Sequence, residues 1–197
     1  MGSRNLIITG ASRGIGRAIA VKLAGPGDRV AVNFLRNQAA AEETAALLEE
    51  KGAEPVLVQA NVRNKADCKR LAETFPSVDL LVNNAAIGVL KAAEKIRINQ
   101  WDLTMESSLR PMWYLTTLCP LADGADVVGI SSMGSQRFIP GYAAITERLA
   151  VPAKPAQAAV AAKPAVTAFA GVAAVYNEYA IKTAGGKCLQ ASQGAVD

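Results

Sequence analysis

The chain has 197 residues, 51% of them hydrophobic and 19% charged, with a formal net charge of +4. Such a chain can bury a sizeable core, which excludes wholesale disorder. No Lys/Arg run interleaves with aromatics, so nucleic acid is a poor partner, and the longest apolar stretch, at 165–176, is too short and Ala-rich to span a bilayer.

Residues 4–9 form a short apolar run ending at a glycine, the pattern of a buried strand. Apolar residues at helical spacing follow from Gly14 to Ala24, and GPGD at 25–28 makes a turn. A second strand is expected at 29–34, then a helix at 38–51 stopped by Gly52. A third strand at 54–60 leads to a helix at 64–75, and a fourth strand at 78–86 runs into a polar loop. A helix is expected from Trp101 to Leu118 despite Pro111, and a fifth strand at 125–132. Strands alternating with helices imply right-handed βαβ units. The expected fold is therefore α/β: a Rossmann-type, doubly wound parallel sheet flanked by helices on both faces.

The pattern stops near residue 146. Beyond Ala150 about a third of the residues are alanine, AKPA occurs twice, and Pro152, Pro155 and Pro164 each break a helix. No clear strand follows. A short helix ending at Gly185 is the one element expected within 176–187. The chain reads as a single dinucleotide-binding domain over 1–197, with 147–197 atypical.

Some chemistry is excluded outright. There is no histidine, which removes Ser-His-Asp and Cys-His catalysis and most zinc sites, and no metal is expected. Cys68, Cys119 and Cys188 are odd in number, far apart and without metal spacing, as idle thiols in a reducing compartment are. The start, MGSRNLIITG, lacks the charged-then-apolar design of a secretory leader, so a cytoplasmic location is expected.

The strongest motif is TGASRGIG at 9–16, between a strand and a helix. Glycines let the backbone turn tightly and approach a pyrophosphate, and the helix start presents free N–H groups to it. The bland alternative is a glycine-rich turn without ligand. The spacing of Gly10, Gly14 and Gly16 after Thr9 resembles the fingerprint of the short-chain dehydrogenase/reductase family. NNAA at 83–86 resembles that family's Asn-Asn-Ala-Gly, and Asn61-Val62 the dipeptide that contacts adenine. Ser131-Ser132 and then Tyr142 resemble the catalytic Ser and Tyr. The resemblance covers about residues 1–146. It implies cofactor contacts from Gly10, Ser12, Arg13, Gly14, Ile15, Gly16, Arg36, Asn61, Val62 and Asn84, with Tyr142 and Ser132 as catalytic groups.

Within the family, Ala86 in place of the usual glycine and Tyr142 ten residues after Ser132 resemble the enoyl-acyl-carrier-protein reductases of the third bacterial type. Family ketoreductases place the tyrosine thirteen residues after the serine. The resemblance implies reduction of 2-enoyl thioesters carried on acyl carrier protein or coenzyme A, in fatty acid synthesis, by a homotetramer. The alternatives are a 3-oxoacyl (carbonyl) reductase and a non-catalytic NADP-binding remnant.

Cofactor choice follows from charge. The second strand ends NFLRN at 33–37 without the acid that binds a 2′-hydroxyl, while Arg13 and Arg36 offer two guanidinium groups to a 2′-phosphate. NADPH is therefore expected, against the plainer reading of two solvated arginines.

A tyrosine with a pKa near ~10 needs a neighbouring cation to work at neutral pH. The family's lysine would fall at Thr146 by ketoreductase spacing or Leu149 by enoyl-reductase spacing. Arg148 is one residue short and Lys154 lies beyond Pro152. The family's asparagine on the fourth helix would fall near Ser108. The break inside a helix the fold needs implies either a truncated, degraded reductase or a written sequence that departs from the true one after about residue 146.

Overall fold

The computed structural model describes residues 3–132, 180–182 and 188–190. The elements in chain order are β1 (Asn5–Ile8), α1 (Gly14–Leu23), β2 (Arg29–Phe34), α2 (Gln38–Glu49), β3 (Glu54–Gln59), α3 (Lys65–Ala72), β4 (Val78–Asn83), a 3-10 turn at Ala93–Lys95, α4 (Ile98–Leu118), β5 (Leu121–Ile130), β6 (Ala180–Lys182) and β7 (Cys188–Gln190). The sheet order is β3-β2-β1-β4-β5-β6-β7. The pairs among β1 to β5 are all parallel, and β6 and β7 join antiparallel. The five parallel strands with their helices are the expected Rossmann-type sheet.

Alternation along the strands sends side chains to both faces, and both are covered. Leu6, Ile8, Val30, Val32, Leu80 and Val82 pack on one side with Ile19 and Ala20 of α1 and Ala41 and Leu48 of α2. Ile7, Ala31 and Leu81 face the other side, against Cys68 and Leu71 of α3 and Leu115 of α4. Cys68 and Cys119 are buried in that second core as free thiols, and burial pushes them up to about 11 and about 12. They are packing residues, inert at neutral pH.

The loops at the N-terminal edge of the sheet are held by a buried carboxylate. Asp28, 3% exposed, pairs with the Arg4 guanidinium and accepts the backbone N–H groups of Arg4 at 3.0 Å and Gly25 at 2.9 Å. Gly52 ends α2 with φ +76°, as the sequence implies.

Two element starts differ from expectation by three residues or more. The fifth strand begins at Leu121, four residues early. Gly124, at φ +77°, lets the strand absorb the ADGA stretch as an irregularity, and the pairing register with β4 shifts between Val78 and Leu80. The fourth helix begins at Ile98 because the Gln100 side chain accepts the Arg97 N–H at 3.2 Å, capping a turn that hydrophobic spacing did not mark. It runs on through Pro111, which is buried and leaves the Ser107 carbonyl without its ladder donor.

The absence of strands after 146 and the helix at 176–187 are both corrected. Ala180–Lys182 is a strand, pairing Ile181 with Ile130 and Lys182 with Gly129, and Cys188–Gln190 pairs beyond it. An open edge on β5 recruits backbone partners, and three-residue strands are too short to show a period in sequence. The rest of 147–197 lies outside the described residues, as does residue 146.

Candidate functional site

In a parallel sheet a crevice opens at the C-terminal strand ends, where the chain order reverses on either side of β1. Here a cleft of about 600 Å³ lies over those ends. All ten residues expected to contact a cofactor line it: Gly10, Ser12, Arg13, Gly14, Ile15, Gly16, Arg36, Asn61, Val62 and Asn84. They come from four separate loops, so the sheet topology brings them together.

The loop after β1 is shaped by its glycines. Gly10 and Gly14 have φ of +63° and +55°, which side chains disfavour. A Cβ on Gly16 would stand 2.2 Å from the Gly10 carbonyl oxygen, so α1 can cross the loop closely only with glycine there. A Cβ on Gly14 would meet nothing within 4 Å, because that side of the loop is open. The start of α1 carries no side-chain cap, so its first N–H groups remain available to an anion.

Polar groups fix the loop from behind. Thr9 Oγ1 accepts the backbone N–H groups of Asn84 and Ala85, each at 2.8 Å. The Asn84 amide donates to the Thr9 carbonyl at 2.8 Å, tying the end of β4 to the loop. Asn84 is therefore a positioning group whose amide hydrogens face the protein. Arg17, which sequence reasoning passed over, donates to the Ser12 and Ala40 carbonyls and to Thr44 Oγ1, and pairs with Glu43. It bolts the loop to α2. Its place three residues after Gly14, one helical turn on, was the signal available in sequence.

The electrostatics of the cleft are one-sided. Arg13, Arg36 and Arg63 line it, and among the described residues no Asp or Glu does. Neither the Arg13 nor the Arg36 side chain has an ion-pair or hydrogen-bond partner among the described residues, so both guanidinium groups keep their full donor sets for an anion. Asn61 Oδ1 accepts the Arg63 N–H at 3.1 Å, and the Asn61 N–H is held by Asp67 at 2.8 Å. The Asn61 N–H foremost, and the Arg70 guanidinium that donates to Asp67 at 2.8 Å, keep the Asp67 carboxyl below the usual carboxylate range.

The other end of the cleft is less complete. Ile87 and Ser107 line it, and Ser107 Oγ accepts the Ile87 N–H at 3.2 Å. Ser108, near which the family asparagine is expected, instead buries a hydroxyl without a partner. Ser132 lies two residues past β5, half-buried, and is not a lining residue of the cleft. Tyr142, Arg148, Leu149 and Lys154 lie outside the described residues. Among the described residues no His/Cys/Asp/Glu group could hold a metal, and no helix is long and apolar enough to cross a membrane.

A glycine-rich turn on a helix start, at the switch point of a parallel sheet, defines a dinucleotide-binding α/β protein. The short chain dehydrogenase family model matches residues 4–145, and the chain belongs to that family. It is 35% identical over 137 residues to the uncharacterized oxidoreductase YhxC of Bacillus subtilis, covering 66% of this chain and 48% of that protein. It is 38% identical over 112 residues to the 3-oxoacyl-[acyl-carrier-protein] reductase FabG of Staphylococcus epidermidis, covering 55% and 46%. The chain thus spans about half the length of these relatives. The crystal structure of the angucycline C-6 ketoreductase LanV with bound NADP superposes with a TM-score of 0.67 at 29% identity, over 72% of this chain and 60% of that one.

Proposed function

We propose that the protein is an NADPH-dependent reductase of carbonyl groups, with 3-oxoacyl thioesters as substrate class. The observation that carries this is the cleft that, among the described residues, is lined by unpaired Arg13 and Arg36 and by no carboxylate, in a chain similar to FabG and to an NADP-bound ketoreductase. The enoyl reading from the sequence has less support, because these relatives reduce carbonyls by name. Its basis is Ala86, which lines the cleft, and the Ser132-to-Tyr142 spacing, which lies mostly outside the described residues.

The residues fit the cofactor. The first N–H groups of α1 receive the pyrophosphate, with Gly14 giving it open approach. Arg13 and Arg36 hold the 2′-phosphate. Asn61 and Val62 line the adenine end, and Asn84 with Thr9 keeps the loop in place. When bound, NADPH supplies the hydride. Tyr142 protonates the oxygen of the reduced carbonyl, and Ser132 hydrogen-bonds that oxygen before the transfer, which is charge stabilisation where charge develops. A homotetramer acting in the cytoplasm on acyl carrier protein or coenzyme A thioesters goes with this reading.

The missing lysine favours a second reading, a non-catalytic NADP-binding module, since Thr146 and Leu149 occupy both spacings. One assay separates these readings. With NADPH, acetoacetyl thioester should be reduced and crotonyl thioester should not. Turnover of crotonyl thioester alone would restore the enoyl reading, and saturable NADPH binding without turnover of either would establish the module. Peptide sequencing across 142–197 checks the atypical segment directly, since a lysine four or seven residues after Tyr142 would complete the catalytic set.

A further inference from the structure

Arg63 differs from the other two arginines of the cleft. Its Nη2 pairs with Glu106 of α4 at 2.6 Å, and Glu106 also holds Arg110 at 3.0 Å. The hydrogen bond from Arg63, together with the positive charge of both guanidinium groups, keeps the Glu106 carboxyl below its ordinary range. The Arg63 backbone is fixed as well, through Asn61 Oδ1. The charge of Arg63 is therefore offset and its side chain anchored at the tip, while Arg13 and Arg36 are unpaired. An incoming phosphate gains most from the unpaired cations. What an anchored, charge-compensated guanidinium still offers is its flat face, which stacks on aromatic rings.

Its position agrees. The cleft runs from the loops after β3 and β2, on one side of β1, to the segment after β4 and to Ser107 of α4 on the other. Arg63 follows β3, two residues beyond Asn61, and lines the cleft with Asn61 and Val62, while its tip reaches across to Glu106 of α4. A dinucleotide lying across the switch point puts one base at each end, and the base at the β3 end is adenine when the phosphates lie on α1 and the 2′-phosphate on Arg13 and Arg36.

We infer that Arg63, braced by Glu106, is a cofactor-binding residue that stacks on the adenine ring and sets affinity for the nucleotide independently of its 2′-phosphate. The inference rests on the reading of the cleft as an NADPH site.

The test is equilibrium binding of NADPH, NADH and 5′-AMP to the full chain and to the variants Arg63→Ala, Arg63→Lys and Arg36→Ala. Arg63→Ala should weaken all three ligands by the same factor, roughly threefold to thirtyfold, the range of a cation–ring contact. Arg63→Lys keeps the charge but loses the plane, and should weaken them nearly as much. Arg36→Ala should weaken NADPH alone. Loss confined to NADPH in Arg63→Ala would make Arg63 a phosphate ligand and overturn the inference, as would full affinity in Arg63→Lys. If Arg63→Ala fails to fold, the lysine variant decides. Absence of NADPH, NADH and AMP binding to the unmodified chain would remove the cofactor reading itself and this inference with it.

Discussion

Asn33 Oδ1 accepts the backbone N–H of Gly10 at 3.1 Å, while Asn33 Nδ2 donates to the carbonyls of Val58 and Ala60 at 3.2 and 3.1 Å. One buried amide, 2% exposed, thereby joins the glycine-rich loop to the ends of β2 and β3. Asn33→Ala leaves one donor and two acceptors buried without it. The expected cost is about 1–3 kcal/mol, read as a lower midpoint in urea with unchanged slope. Asn33→Asp keeps the shape but loses both donated bonds and puts a carboxylate beside Arg36. It should weaken NADPH more than NADH, measured by titration of each.

Gly14 and Gly16 separate shape from function. Gly16→Ala drives a methyl into the Gly10 backbone, and neither partner can swing aside. A loss of roughly 3 kcal/mol or more is expected, of the order of other overpacked sites. Gly14→Ala meets open space and strains only its φ of +55°, at a cost of about 1–2 kcal/mol. It should fold, yet its methyl stands where a pyrophosphate must approach. Thermal unfolding with NADPH binding on both variants checks this: the first loses stability foremost, the second affinity.

Stability should fall in acid through Asp28. Burial raises its pKa, but the hydrogen bond from Arg4 and the N–H groups of Gly25 and Arg4 outweigh it, so the folded value lies below the ordinary 3.8. A depressed carboxylate pKa contributes stability that is fully present above the unfolded value and is lost as pH falls through the folded one. Asp67 and Glu106 shift in the same direction. Urea midpoints should thus be flat from neutral pH down to about pH 5 and drop below pH 4. Asp28→Asn should lower the neutral midpoint and flatten that acid drop. An acid drop of unchanged size in Asp28→Asn would discard Asp28 as its source.

Arg17 should act on binding through the loop it holds. Arg17→Ala leaves the Ser12 carbonyl only the Thr44 hydroxyl as donor and empties the space between the loop and α2. NADPH and NADH should both weaken, roughly tenfold if the loop loses about 1.4 kcal/mol of ordering, with their ratio unchanged. A changed ratio would make Arg17 a ligand of the 2′-phosphate.

The first 132 residues were largely legible because each rule there was local. Strand alternation, the helix formers of α2 and the glycine spacing each act within a few residues, and all ten expected cofactor contacts converge on one cleft. The illegible parts depend on distant partners. Asn33 looked like the end of a strand, and only the sheet brings Val58, Ala60 and Gly10 to its amide. Arg63 and Glu106 are 43 residues apart, and no short pattern links them. The early start of β5 depends on a glycine bulge against β4, and β6 and β7 on an edge they complete. The proposed catalytic role rests on Tyr142, which lies outside the described residues, in a stretch where the helical sequence pattern gives way to alanine and proline.

Selection of NADPH by the cleft over β1, β2 and β3 is proposed to lie with Arg13 and Arg36. Equilibrium titration of the full chain with NADPH and NADH, repeated on the double variant Arg13→Ala/Arg36→Ala, tests this most directly. NADPH should be preferred by at least tenfold, about 1.4 kcal/mol, and the double variant should bind the two equally with its NADH affinity intact. Equal affinity in the unmodified chain, or a preference that survives loss of both arginines, would contradict it.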